Sequence, residues 1–73
     1  MAETRIARLR RTLGWSQYQM GAFLRLSQPT VWNMENGQAE PGPVSKLLDQ
    51  LEAALERGEQ PEAPARDDEA RAL

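Results

Sequence analysis

A chain of 73 residues has room for one small domain with a sparse core, a situation that favours completion by self-association into a homodimer. Having neither Cys nor His, it lacks the usual zinc and iron ligands, the thiol nucleophile and the commonest general base, so no metal, no cofactor and no enzyme activity are expected. The net charge of −2 does not exclude an anionic partner. Residues 1–38 hold five Arg against Glu3 and Glu35, or +3, and residues 39–73 hold four basic against nine acidic groups, or −5.

The first predicted element is an amphipathic helix in which Ile6, Leu9 and Leu13 repeat at three- and four-residue spacing, Arg5, Arg8 and Arg11 take the other faces, and Gly14 ends the run. Trp15-Ser16-Gln17-Tyr18-Gln19-Met20 is a start signal. Ser16 is the expected N-cap, Gln19 its capping-box partner, and Trp15 and Met20 a hydrophobic staple around a second helix from about Gln17 to Leu24. The same grammar returns at Leu26-Ser27-Gln28-Pro29-Thr30-Val31, with Ser27 capping and Pro29 in a first turn that does not need its missing N–H. This third helix runs from Gln28 to about Asn36, where Asn36-Gly37 stops it. After a turn-rich stretch, Pro43 opens a longer helix to about Arg57, in which Val44, Leu47, Leu48, Leu51 and Leu55 form the apolar stripe.

Residues 1–58 thus read as one all-α domain, a small bundle of four helices with a fifth as the alternative. Residues 59–73, rich in acids and proline and poor in bulky apolar side chains, read as a flexible tail. No apolar run approaches the ~20 residues that cross a bilayer, and the first residues carry no apolar stretch of the secretory type. A cytoplasmic protein without a membrane partner is expected.

Two short capped helices joined through Arg25-Leu26-Ser27 and preceded by an amphipathic helix fit the description of a helix-turn-helix. Gly21 falls where the third helix must cross the second closely, and Leu24, Leu26, Val31 and Met34 supply the seam between them. By helical spacing Val31, Met34 and Glu35 turn toward the first two helices, whereas Gln28, Trp32, Asn33 and Asn36 turn away. The outward Trp32 suits a contact with thymine methyls or deoxyribose, or else fills a gap against the loop before the fourth helix.

From about Arg5 to Gly37 the chain resembles, without gaps, the Cro and phage-repressor family of helix-turn-helix proteins, also called XRE-like. The resemblance is carried most tellingly by Ser16-Gln17, Ser27-Gln28-Pro29-Thr30-Val31 and Glu35-Asn36-Gly37. It implies a lambda-repressor-like bundle whose third helix reads the major groove of double-stranded DNA. The candidate DNA-binding positions are Ser16, Gln17, Ser27, Gln28, Pro29, Thr30, Asn33 and Asn36, to which Arg25, from its place in the turn, and Trp32, from its outward face, are added. Among these, the resemblance implies that Gln17 meets a phosphate, Gln28 a base edge and Asn36 the DNA backbone. Arg10 and Glu35 match a pair that in similar proteins ties the first helix to the third.

The chain departs from the family in three places. Arg25 stands where a glycine is usual, Met34 where an aromatic residue is frequent, and the stretch after Gly37 is acidic and proline-rich instead of basic. The expected function is that of a dimeric repressor on an inverted repeat, with half-sites about one turn apart (~10 bp). Leu51, Ala54 and Leu55 on the fourth helix are the candidate dimer surface, against the alternative that they complete the core. The competing reading is an antitoxin or other interaction protein whose acidic tail, residues 59–73, binds a protein partner.

Overall fold

The computed structural model describes residues 3–64, and those residues form four helices and no strand. They are α1 (Arg5–Leu13), α2 (Gln17–Leu24), α3 (Gln28–Glu35) and α4 (Gly42–Glu56). Each boundary has a local chemical cause. Thr4 caps α1 by accepting a hydrogen bond from the Ala7 N–H, and Gly14 closes it at φ 73°, a left-handed conformation that costs glycine little. Ser16 and Gln19 form a complete capping box on α2: the hydroxyl accepts from the Gln19 N–H (3.0 Å), and the amide oxygen accepts from the Ser16 N–H (2.9 Å). Ser27 caps α3 through the Thr30 N–H, and Pro29 sits in its first turn. The start of α4 has no side-chain cap and relies on Pro43 near its beginning, whose ring pre-sets the helical φ.

The apolar stripes of the four helices meet in one core. Ile6, Met20, Val31, Met34 and Leu48 are its fully buried centre, with Leu9, Leu13, Trp15, Leu24, Val44 and Leu51 around them. Trp15 lies 5.5 Å from Phe23, ring centre to ring centre, in a tilted pairing that closes one end. α2 packs on α3, and α1 packs on both α3 and α4.

Of the two readings of the α4 stripe, burial takes the core one for Leu51 and Ala54 over the dimer surface. Leu51 and Ala54 are only 2% and 9% exposed, and Leu55 packs partly against the core. Leu51 shares one core cluster with Ile6 and Leu9 of α1, on which α4 packs.

Polar ties fasten α4 further. The Arg5 guanidinium donates to Glu40 (2.8 Å), Glu52 (2.9 Å), Asp49 and the Ser45 hydroxyl (3.1 Å), and the surrounding carboxylates, Glu40 foremost, bind its proton more firmly still. The acidic segment is described only as far as Pro64, and the rest of the expected tail, residues 65–73, lies outside the described residues. Residues 59–64 have no helix or strand, and the Gln19 amide donates to the Pro64 carbonyl (2.9 Å), which brings the segment back against α2. Gln19 is therefore a buried polar residue with both ends of its amide engaged. No helix among the described residues is long and apolar enough to cross a membrane.

Candidate nucleic-acid interface

The turn between α2 and α3 decides how α3 is presented. Its pivot is Gly21, where an added Cβ would come within 2.6 Å of the Leu26 carbonyl oxygen and 3.4 Å of a Val31 methyl. The same carbonyl group follows directly from the turn, in which the Leu26 N–H donates to the Gly21 carbonyl (2.8 Å). Only a residue without a side chain lets the two helices cross this closely. Arg25, standing where a glycine is usual in the family it resembles, closes α2 in the left-handed conformation at φ 62°, ψ 43°. It is the only non-glycine residue with positive φ among those described, and such a residue sits about 1 kcal/mol above its preferred regions.

α3 has two faces. Val31 and Met34 are buried, and Glu35 retains 10% of its side-chain exposure, whereas Gln28, Pro29, Trp32, Asn33 and Asn36 are all exposed. Four-residue spacing sets Gln28, Trp32 and Asn36 in one row and Pro29 with Asn33 in the next. None of these five side chains is charged. Trp32 is 53% exposed, so it does not fill a gap beneath the α4 loop.

Behind that face runs a continuous chain of hydrogen bonds. Arg10 grips Glu35 with two nitrogens (Nε to Oε2 2.5 Å, Nη2 to Oε1 3.2 Å) and also donates to the Trp15 carbonyl (3.1 Å). Gln17 donates from Nε2 to Glu35 Oε1 (3.0 Å), and its Oε1 accepts from Gln28 Nε2 (2.6 Å). Burial alone would raise the Glu35 pKa. The hydrogen bonds from Arg10 and Gln17, with the charges of Arg10 and Arg11, outweigh it and hold the carboxyl below its ordinary value. The buried pair at one end thereby orients an exposed amide at the other.

This arrangement changes several individual expectations. The Gln17 side chain, half-buried, is directed to Glu35 and Gln28 and not outward, so it positions Gln28. What α2 offers to an anion instead is its backbone: the Gln17 and Tyr18 N–H groups have no partner among the described residues. The Ser16 hydroxyl is occupied by capping, and those of Ser27 and Thr30 lie 2.8 Å apart, engaged with each other. Asn36 folds its amide back on the Trp32 carbonyl (2.8 Å), which engages one of its two amide hydrogens. Asn33 has no side-chain partner among the described residues and points to solvent.

The charge division along the chain does not survive in space. Arg5, Arg8, Arg10 and Arg11 all lie on α1, and each is paired with carboxylates of Glu3, Glu35, Glu40, Asp49 or Glu52. Among the described residues of the basic half, Arg25 alone lacks a carboxylate partner, and it stands at the turn leading into α3.

The Arg10–Glu35 pair stands as the resemblance implied, but its extension through Gln17 to Gln28 and the Arg5 cluster were not read from the sequence. Both depend on the angle at which distant segments cross, for which periodicity carries no signal. The surplus of acids after residue 39 was the one available hint of partners for the α1 arginines. Comparison of the chain with protein-family models, with curated proteins and with solved structures finds no match.

Proposed function

We propose that this protein is a sequence-specific DNA-binding regulator, a repressor that sets α3 into the major groove as a homodimer on an inverted repeat. The observation that carries the reading is the uncharged, amide-bearing outer face of α3, with Gln28 held from behind by Gln17. Such a face is poorly suited to phosphate but well suited to base edges. With one Nε2 hydrogen donated to Gln17, Gln28 keeps its second hydrogen and its oxygen, the donor and acceptor that pair with adenine N7 and N6. Asn33, one turn on from Pro29, offers the same donor and acceptor to a neighbouring base pair.

Phosphate contacts in this reading come from the free N–H groups at the start of α2 and from Arg25. The resemblance of residues 5–37 to phage-type repressors supports the same docking, with α3 in the groove and α2 across its edge. An eight-residue helix extends about 12 Å and covers about four base pairs, too few to mark one site, which is the reason for two copies. B-form DNA is the substrate because the narrow major groove of A-form RNA does not admit such a helix.

The test is selection of binding sites from random duplex DNA by the wild-type chain and by Gln28→Ala and Asn33→Ala. Each variant is expected to relax the selected sequence at one or two positions per half-site and to lose about 1–3 kcal/mol on the wild-type site. An unchanged selected sequence in both variants would remove α3 as the reading element.

A further inference from the structure

Among the described residues the Trp32 indole has no hydrogen-bond or ring-pairing partner. The other tryptophan, Trp15, is 4% exposed and paired with Phe23, whereas Trp32 is 53% exposed in the middle of α3. An indole held in water on a short helix is an unmet apolar surface. Its surroundings restrict what can cover it. Gln28 and Asn36 stand one turn before and after it in the same row, Pro29 lies beside it at three-residue spacing, and none of them is charged. A charged peptide finds no complement there. The edges of stacked base pairs do: in the major groove they present donors and acceptors for amides and one apolar group, the thymine 5-methyl.

We propose that Trp32, seated beside Pro29, reads thymine 5-methyl groups, so that each half-site depends on one or two thymines for its methyls and not for their pairing. The inference rests on the DNA-reading role of α3 and deepens it by naming the group recognised. Trp32 lies about 6 Å along the helix axis from Gln28. With a base-pair rise of ~3.4 Å, the thymines fall one or two positions from the base that Gln28 reads. Removing one methyl from water corresponds to about fourfold in affinity, and a flat indole can cover two.

The experiment uses the selected duplex with each thymine replaced in turn by deoxyuridine, which deletes the methyl and keeps the O4 acceptor and the pairing. Wild-type protein is expected to lose about fourfold or more at one or two adjacent positions per half-site. Trp32→Ala should bind the all-thymine duplex more weakly and lose nothing further at those positions, and Trp32→Phe should recover part of the sensitivity. Because the indole is exposed, unfolding of both variants should match wild type. The same loss profile in wild type and Trp32→Ala, or a half-site without thymine one or two positions from the Gln28 base, would overturn the assignment. So would a lower mass of free Trp32→Ala in sedimentation, which would place the indole between two copies. The failures are distinguishable: if no sequence is selected at all, the DNA-reading role itself falls, and if one is selected with identical profiles, only the Trp32 assignment falls.

Discussion

Glu35 shows how one carboxylate can serve both stability and recognition. Its proton is bound less tightly in the folded chain than in the unfolded one, so the unfolded state takes up the proton first as pH falls. The stabilisation it supplies is complete above the ordinary glutamate range near 4.5 and is lost as pH falls through its depressed folded value. Denaturation midpoints between pH 7 and pH 3 should therefore fall more steeply for wild type than for Glu35→Gln, and the gap between the two should close toward the acid end. Arg10→Met should be the more damaging change at pH 7, by about 3 kcal/mol, because it leaves the Glu35 carboxylate in a dry site with Gln17 alone. That figure is the lower end for buried pairs, since Arg10 keeps 21% of its side chain in solvent. A glutamine at position 35 can still accept from Arg10, which is why it is the milder test.

At the scale of the element, α2 and α3 are poor helices by themselves. Each has eight residues, near the length at which isolated helices do not persist, and both depend on caps and on being packed together. Their crossing depends on Gly21. Gly21→Ala would gain ~1 kcal/mol in helix propensity, but its methyl would meet the Leu26 carbonyl at 2.6 Å, and a backbone atom in a hydrogen-bonded turn cannot move aside. A net loss of about 1–3 kcal/mol is expected from thermal or denaturant unfolding. Because the methyl would wedge α2 from α3, affinity for the selected duplex should fall as well, even under conditions where the variant is folded.

At the scale of the molecule the governing fact is that, among the described residues, only Arg25 and Lys46 are cations without a carboxylate partner. The α1 arginines face carboxylates, two of them across α4, and Arg25 is the one cation of the first half left for phosphate among the described residues. Each cation that neutralises a phosphate contributes about −0.9 to the slope of log affinity against log salt, so a dimer relying on Arg25 should show a slope near −2. This is far shallower than for proteins making six to ten phosphate contacts per complex. Arg25→Gln should reduce the slope by about 0.9 per protomer and leave the selected sequence unaltered. Affinity titrations between 50 and 300 mM salt distinguish this from a broad cationic surface, for which the slope would stay steep in the variant.

By itself the sequence determined the helices, their caps and the division of α3 into an inward and an outward face. Capping and amphipathic period are set by residues within four positions of one another, whereas the crossing at Gly21, which meets Leu26 and Val31, was legible only once two helices joined by a tight turn were assumed. Apart from the Arg10–Glu35 pair, tertiary structure alone decided which charges cancel, since Arg5 and its carboxylates are 35 to 47 positions apart. It also turned Gln17 inward to brace Gln28 and placed Leu51 and Ala54 within the core instead of on a surface. Those outcomes depend on where separate segments come to lie when the core closes, and a periodicity confined to one helix holds no information about what stands opposite it.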